Sequence, residues 1–395
     1  MRLVHQASPW RSLFHENGTL NTSALNAPLE TLFSKRFATS FSAHSPALSQ
    51  VLPQVLSSPG SSLADAYAWQ LPLVETLVHY DLPAWRISQI ISDHNALLYR
   101  QAVAQSLEEM QAQGWGAPPV DYCVLLLGSA ARFESLLGPD QDNALIIDDY
   151  PDHRHVEIDG YFQALGERFT QRLHEAGIPL CQGHVMARWP MWRKRLGEWQ
   201  AQLEIWSADR QVKRVQQTNI LLDFAPVAGN PALAAQLGKR IASILPKASL
   251  FMDEMMVLLD ELPVALDRFG RLASSPGLNA PHEQAINLKQ QALLPLISAT
   301  RLLCLRHGLD EIATRDRLIA LSHSTNALTS AESVLLVAAF ERLQQRLLDQ
   351  QRYNRARGQA ADGWVDLRRL REDERLLLKF DLQQIRVFVQ RVKNT

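Results

Sequence analysis

Two aspartates, Asp140 and Asp142, have the residue type and the spacing that divalent-metal chemistry needs. Side chains two positions apart on an extended strand point to the same side, so both carboxylates can converge on one point. Mg²⁺ and Mn²⁺ bind a few carboxylate oxygens together with the phosphate oxygens of a substrate. The pair therefore predicts a metal-dependent reaction on a phosphate-bearing substrate, although an isolated Asp-x-Asp also occurs in solvated turns.

The residues before the pair indicate a phosphate site. An apolar run over Cys123–Leu127 has the length of a buried strand and ends at Gly128-Ser129, where the chain must turn. Backbone N–H groups exposed at such a turn bind phosphate. A short helical stretch over Ala130–Leu137 and a second buried strand over Asn143–Ile147 follow. The aspartates are therefore expected at a strand entrance beside the phosphate site.

In this segment the chain resembles the nucleotidyltransferase family related to the amino-terminal domain of PII uridylyltransferase, within the polymerase-beta-like superfamily. The family pattern is Gly-Ser-x-Gly-Arg-x-Glu, a few residues, and Asp-Gln-Asp-Asn before an apolar strand. The matching residues are Gly128, Ser129, Arg132, Glu134, Asp140, Gln141, Asp142 and Asn143. Ala131 stands where the family usually has its second glycine, which is a mild change if that position keeps ordinary helical angles.

The resemblance implies a third carboxylate on a neighbouring strand. Asn219–Val227 is similar to the Asp-Phe-Arg-Pro strand of the family, with Ala225 in place of the arginine. In the superfamily this carboxylate binds metal and takes the proton of the attacking hydroxyl, which makes Asp223 the candidate here. Arg132 is expected to contact phosphate or to order the loop, or else to form a surface ion pair with Glu134. The Ser129 hydroxyl suits a phosphate contact or a helix cap.

A later segment is similar to the helical domain that follows the nucleotidyltransferase domain in this family. Asn287-Leu288-Lys289 matches an Asp-Leu-Lys motif, and Leu302–Gly308 matches a second motif. Lys289 is a flexible point charge suited to reaching a triphosphate across a cleft. The competing interpretation is a solvated helix lysine.

The function implied by the resemblance is transfer of a nucleoside monophosphate from a nucleoside triphosphate to a hydroxyl, with a side chain of a protein as the expected acceptor. Mg²⁺ or Mn²⁺ would be the cofactor. Two alternatives stay open, a nucleotide-binding regulator without activity and a transferase that modifies a small molecule. No linear motif identifies the base of the nucleotide. A homodimer is a further possibility.

Composition limits the binding partners and the cellular compartment that we expect. The 395 residues carry a formal net charge of -1, which gives no general attraction to nucleic acid or to anionic membranes. Three widely spaced cysteines indicate neither a disulfide framework nor a thiolate zinc site. The start has no signal-peptide core, and no apolar run is long enough to span a membrane. We expect a cytoplasmic protein that binds neither nucleic acid nor membrane.

The predicted fold class is α+β, with a small mixed sheet and many helices. The expected divisions are 1–61, which is poorly readable; 62–115, a helical segment; 116–229, the nucleotidyltransferase domain; and 230–395, a helical domain. After Asp223 no further strands are expected, and Ile286–His307 is predicted as one helix. Asn230-Pro231 is expected to begin a helix. A helix with one apolar seam, more typical of core packing than of base stacking, is predicted from Trp192, Leu196, Trp199, Leu203 and Trp206.

Overall fold

The computed structural model describes residues 63–68, 70–79, 81–208, 220–275 and 278–394. The segment 1–61 of the sequence analysis lies outside the described residues, and so does Asn219. Within the described part, helices surround a small mixed sheet, which confirms the predicted α+β class.

Six strands form two sheets in the described residues. They are β1 (Tyr122–Leu127), β2 (Asn143–Ile147), β3 (Arg193–Arg195), β4 (Phe224–Gly229), β5 (Ala285–Asn287) and β6 (Trp364–Asp366). The larger sheet has the order β3-β2-β1-β4, in which β1 is antiparallel to both β2 and β4, and β2 is parallel to β3. The predicted strands at Cys123–Leu127 and Asn143–Ile147 are confirmed as the two central strands.

Helices cover both faces of this sheet and form the carboxyl-terminal part. The α-helices of the described residues are α1 (Leu63–Ala68), α2 (Gln70–His79), α3 (Ala84–Ala112), α4 (Gly128–Ala131), α5 (His155–Glu175), α6 (Leu196–Ala208), α7 (Pro231–Ile244), α8 (Ser249–Asp260), α9 (Leu294–Arg306), α10 (Thr314–His323), α11 (Ser330–Arg355) and α12 (Glu372–Lys393). The expected start of α7 is confirmed, because the Asn230 side chain accepts from the N–H of Ala232 and Pro231 occupies the first turn.

The alternation of β1 divides the core into two layers. Val124 and Leu126 pack with α3 and α5 on one face, whereas Leu125 and Leu127 face the opposite side, where α6 and α7 pack. Successive side chains of a strand point to opposite faces, so a fully apolar strand must be covered on both. The second layer is continuous with the buried side chains of α9 to α12. The sheet and the carboxyl-terminal helices therefore share one core.

Two predictions about the carboxyl-terminal part are wrong. Strands do occur after Asp223, since β4 is followed by the antiparallel pair β5 and β6. The predicted single helix Ile286–His307 is instead β5, one π-helical turn over Lys289–Leu293, and α9. Pro295 lies in the first turn of α9, where its missing N–H is tolerated, so the regular helix begins there.

The helix predicted from Trp192 begins later. α6 starts at Leu196, while Trp192 closes a short 3-10 turn and Arg193–Arg195 pairs with β2. The ladder partner is distant in sequence, so helical spacing did not reveal it. Trp192, Trp199 and Trp206 are all buried, as expected for core packing.

No helix in the described part of the chain combines the length and the apolar character that a membrane crossing requires.

Candidate metal and nucleotide site

The segment from Asp140 to Asn143 is held by its two buried amides. The Gln141 side chain donates to the carbonyls of Thr170 (2.9 Å) and Ile178 (2.8 Å), and Asn143 Oδ1 accepts from the N–H of Ala187 at 2.8 Å. Because side chains alternate along an extended chain, anchoring residues 141 and 143 inward turns residues 140 and 142 outward. The alternating amides explain the convergence of the two carboxylates.

Asp140 and Asp142 form one group with Cys181. Their ligand-type atoms lie within 4.8 Å of one another, with Asp140 exposed, Asp142 half-buried and Cys181 buried. Burial, and next the charge of Asp140, raise the pKa of Asp142 to about 6. A hydrogen bond from Cys181 and the positive charges of Lys289 and Arg132 act in the opposite direction. The group carries negative charge that the protein only partly compensates.

Cys181 is placed beside the carboxylates by the backbone. The N–H of Gln141 donates to the carbonyl of Pro179 at 3.1 Å, and Gln141 forms a parallel bridge with Leu180. Burial, and next the charge of Asp142, raise the pKa of the Cys181 thiol to about 11. The thiol is therefore a hydrogen-bond donor to Asp142 at neutral pH. Cys181 was not assigned to the site from the sequence, because the pairing between 140–142 and 179–181 leaves no local pattern.

The turn after β1 fits the predicted phosphate site in part. Gly128 has φ +58°, a conformation that favours glycine. Its N–H donates to the carbonyl of Asp223 at 3.0 Å, so this donor is already used. The N–H groups of Ser129 and Ala130 belong to the first turn of α4 and have no intrahelical acceptor. Ala131 lies inside α4 without a positive φ, so it fits where the family usually has glycine.

Asp223 lies at the entrance of β4 and is fully buried. Its Oδ2 accepts from Arg132 Nη1 at 2.7 Å and from Arg301 Nε at 3.1 Å. Arg317 Nη2 lies 2.8 Å from Oδ1. Burial alone would raise the pKa of Asp223, but Arg301, Arg317 and Arg132 together hold it far below its ordinary value. The structure thus surrounds this carboxylate with guanidinium groups and does not bring it into the group of Asp140 and Asp142.

Arg132 and Glu134 continue this ion-pair cluster. Arg132 Nε donates to Glu134 Oε2 at 2.7 Å, and both side chains are nearly buried. Glu134 Oε1 accepts from the N–H of Thr314 at 2.7 Å, at the first residue of α10. A carboxylate at a helix amino terminus satisfies a free donor and suits the helix dipole. Arg132 does pair with Glu134, as the competing interpretation expects, but the pair is nearly buried and does not lie on the surface. Its role at phosphate or in ordering the loop stays a prediction.

Lys289 approaches the carboxylate pair from the carboxyl-terminal part. It is exposed, and it is close enough to Asp142 to lower the pKa of that carboxyl. Asn287 Oδ1 accepts from the N–H of Gln290 at 3.0 Å and so fixes the turn that presents Lys289. Gly363 packs against this turn, because a Cβ added there would lie 2.8 Å from Lys289 Cβ.

A second close approach joins the two parts beside the site. Gly138, in the loop before Asp140, has φ +76°, and a Cβ added to it would lie 2.7 Å from the carbonyl oxygen of Ala361. Any larger residue at 138 would push the loop of Ala361 away. The carboxylate pair therefore lies next to the seam between the sheet and the carboxyl-terminal helices.

Two family models match the chain. Residues 70–213 match the family model described as "Putative nucleotidyltransferase DUF294". Residues 249–395 match the model described as "Putative nucleotidyltransferase substrate binding domain". The chain belongs to this nucleotidyltransferase family. Among curated proteins, none matches the chain at a significant level.

The site lies where the two family domains meet. The nucleotidyltransferase domain supplies Asp140, Asp142 and the turn of Gly128, and the substrate-binding domain supplies Lys289. The substrate-binding domain also supplies Arg301 and Arg317 to Asp223. Sequence reasoning missed these two arginines, because a buried charge pair between distant positions has no periodicity to detect.

Proposed function

We propose that this nucleotidyltransferase moves a nucleoside monophosphate from a nucleoside triphosphate to a hydroxyl group, with a side chain of a target protein as the acceptor. The observation that carries the proposal is the convergence of Asp140 and Asp142, with the positive charge of Lys289 lowering the pKa of Asp142. A divalent cation and a triphosphate need this combination of ligands and positive charge. Family membership supports the reaction class.

Asp140 and Asp142 would hold Mg²⁺ or Mn²⁺. The raised pKa of Asp142 fits this role, because a divalent cation relieves the repulsion and the burial that raise it. When bound, the ion supplies charge neutralisation to the triphosphate. The N–H groups of Ser129 and Ala130, with the Ser129 hydroxyl, would donate to phosphate oxygens. Lys289 would neutralise a further phosphate from the other side.

The transfer forms one bond and breaks another. The acceptor oxygen bonds to the α-phosphorus while the bond from that phosphorus to the bridging oxygen breaks. The electron pair leaves with pyrophosphate, and the hydroxyl proton passes to solvent. Asp223 is a weak base because its pKa is held low, so we assign it a positioning role. The roles of metal ligand and proton acceptor, which the family resemblance implies for Asp223, stay predictions.

The test uses triphosphates labelled at the α-phosphate, each supplied with Mg²⁺ or Mn²⁺ and host lysate. Wild-type protein is expected to label acid-precipitable protein, and Asp140→Ala with Asp142→Ala is expected to abolish the label. Asp148→Asn, at the other end of β2, is the matched control and should retain it. Equal labelling by wild type and the double variant would contradict the proposal.

One observation favours the alternative of a nucleotide-binding regulator. Three arginines form ion pairs with Asp223, the residue that matches the third acidic residue of the superfamily. Nucleotide binding without any transfer under all metal and triphosphate combinations would support that alternative. Label confined to acid-soluble products would instead identify a small-molecule acceptor. The homodimer, the cytoplasmic location and the division into four segments stay predictions.

A further inference from the structure

The turn that follows Cys181 is built around its sulfur atom. A Cβ added to Gly183 would lie 3.6 Å from Cys181 Sγ, so the turn passes close to the sulfur. The N–H of His184 donates to the Cys181 carbonyl at 3.1 Å, and His184 has φ +58°, which closes the turn. The turn therefore holds the Cys181 sulfur in a fixed place beside the carboxylates.

The same sulfur lies in the carboxylate group. Its Sγ and the carboxylate oxygens of Asp140 and Asp142 are within 4.8 Å of one another, a spread that a single ion can bridge. Mg²⁺ prefers oxygen ligands and leaves a thiol protonated, whereas Zn²⁺, Co²⁺ and Cd²⁺ take thiolates readily. The group therefore offers two sets of ligands, one with two carboxylates and one with a thiolate in addition.

We propose that thiophilic divalent ions bind this chain through the Cys181 thiolate together with the Asp140 and Asp142 carboxylates, and that they compete there with Mg²⁺. Coordination displaces the thiol proton to solvent and removes the hydrogen bond from Cys181 to Asp142. The binding half of the inference stands by itself. The inhibitory half, in which Zn²⁺ blocks Mg²⁺-dependent transfer, rests on the proposed function.

Cobalt reports on the sulfur directly. The full chain, reduced and freed of metal, is titrated with Co²⁺ while the thiolate-to-cobalt charge-transfer absorption is followed. Wild type is expected to develop this band with one ion per chain. Cys181→Ser is expected to lose the band and to bind Co²⁺ at least about tenfold more weakly, the lower bound for loss of a supporting group at a metal site. The other cysteines, Cys123 and Cys304, are buried elsewhere.

Two further variants complete the experiment. Cys304→Ala removes a buried sulfur outside the group and should keep the band. Asp140→Asn with Asp142→Asn keeps the thiol but should weaken Co²⁺ binding, because both carboxylates are lost. A band of equal size in Cys181→Ser and wild type would overturn the proposal. So would Co²⁺ binding by wild type without any thiolate band.

A second arm separates this inference from the transferase. Labelled transfer with Mg²⁺ is measured at rising Zn²⁺, and each variant is compared with its own rate without Zn²⁺. Half-inhibition of Cys181→Ser should need at least about tenfold more Zn²⁺ than wild type, and equal sensitivity would overturn the inhibitory half. A thiolate band without any transfer would leave the metal site in place and defeat the proposed function. Mg²⁺-dependent transfer without a thiolate band would support the proposed function and overturn the Cys181 metal site.

Discussion

Aspartates at two strand entrances of one sheet lie in opposite electrostatic settings. At the entrance of β2, Asp140 and Asp142 repel each other, and the pKa of Asp142 is raised to about 6. At the entrance of β4, Asp223 is buried among three guanidinium groups that hold its pKa far below its ordinary value. The first setting retains negative charge that attracts a cation, whereas the second is already neutralised inside the protein.

The two settings meet at Gly128. This residue donates its N–H to the Asp223 carbonyl, and a Cβ added to it would contact Asp142 Oδ2 at 3.5 Å. Arg132, four residues later, pairs with Asp223 and also lowers the pKa of Asp142. Arg301 and Arg317 belong to the substrate-binding domain and pair with Asp223. A shift of that domain would therefore move Asp223 and, with it, the turn at Gly128. Asp140 and Asp142 would take part in the reaction, and the ion pairs of Asp223 would fix the position of the turn beside them.

The largest expected effect separates activity from stability at the carboxylate pair. Asp140→Asn with Asp142→Asn is expected to lower transfer by roughly 10³-fold or more, because metal-based charge stabilisation contributes several kcal/mol. Urea unfolding should show stability equal to wild type or slightly higher, since the substitution removes a repulsion. A large loss of stability in this variant would show that the pair is structural and would remove the contrast with Asp223.

Asp223→Asn should give the opposite result. Removing one partner of a buried ionic cluster costs about 3 kcal/mol of unfolding free energy or more, since Arg132, Arg301 and Arg317 lose their counter-charge. Urea unfolding by circular dichroism measures this loss, with Asp148→Asn as the control. Stability unchanged by Asp223→Asn would show that the guanidinium groups do not depend on this carboxylate, and it would favour the metal role instead.

The difference between the two settings also explains which parts of the site could be predicted from the sequence. The strands at Cys123–Leu127 and Asn143–Ile147 and the turn at Gly128 depend on neighbouring residues, so two short apolar runs and the Gly-Ser after the first were enough to predict them. Asp223 was predicted as a carboxylate of interest, but its partners Arg132 and Arg301 are 91 and 78 positions away. No local pattern records which distant arginine neutralises a buried carboxylate.

The same limit applies to the carboxyl-terminal part. β5 is a three-residue strand whose existence depends on its pairing with Trp364–Asp366. In isolation its apolar residues continue the helical spacing of the segment that follows, which produced the wrong prediction of one helix. Cys181 was likewise overlooked as a ligand, since its sulfur meets the carboxylates only after segment 179–181 pairs beside Gln141.

A smaller effect is expected where the substrate-binding domain acts on the carboxylate pair. Lys289→Ala removes a positive charge that lowers the pKa of Asp142 and that would contact the triphosphate. The KM for the triphosphate should rise by about tenfold, which corresponds to about 1.4 kcal/mol, while Lys289→Arg should retain part of the affinity. Lys239→Ala, on the exposed side of α7, is the control. A KM unchanged in Lys289→Ala would make Lys289 a solvated lysine, the interpretation that the sequence left open.

The smallest expected effect is a shift in pH dependence that tests the origin of the contrast. Metal binds the ionised carboxyl, so a pKa near 6 in Asp142 makes protons compete with Mn²⁺ near neutral pH. Affinity for Mn²⁺, measured by electron paramagnetic resonance, should be constant above about pH 7 and fall up to tenfold per unit below about pH 6. Asp223 contributes nothing in this range, because its pKa is held far lower.

Asp140→Asn decides which cause dominates this pH dependence. The variant binds Mn²⁺ more weakly at every pH because one ligand is lost, but it also removes the negative charge that raises the pKa of Asp142. The pH at which affinity begins to fall should therefore move down, while the part of the shift that comes from burial remains. A turning point that stays at its wild-type pH would assign the whole shift to burial. In that case the two settings would differ through the three arginines around Asp223 and not through repulsion within the pair.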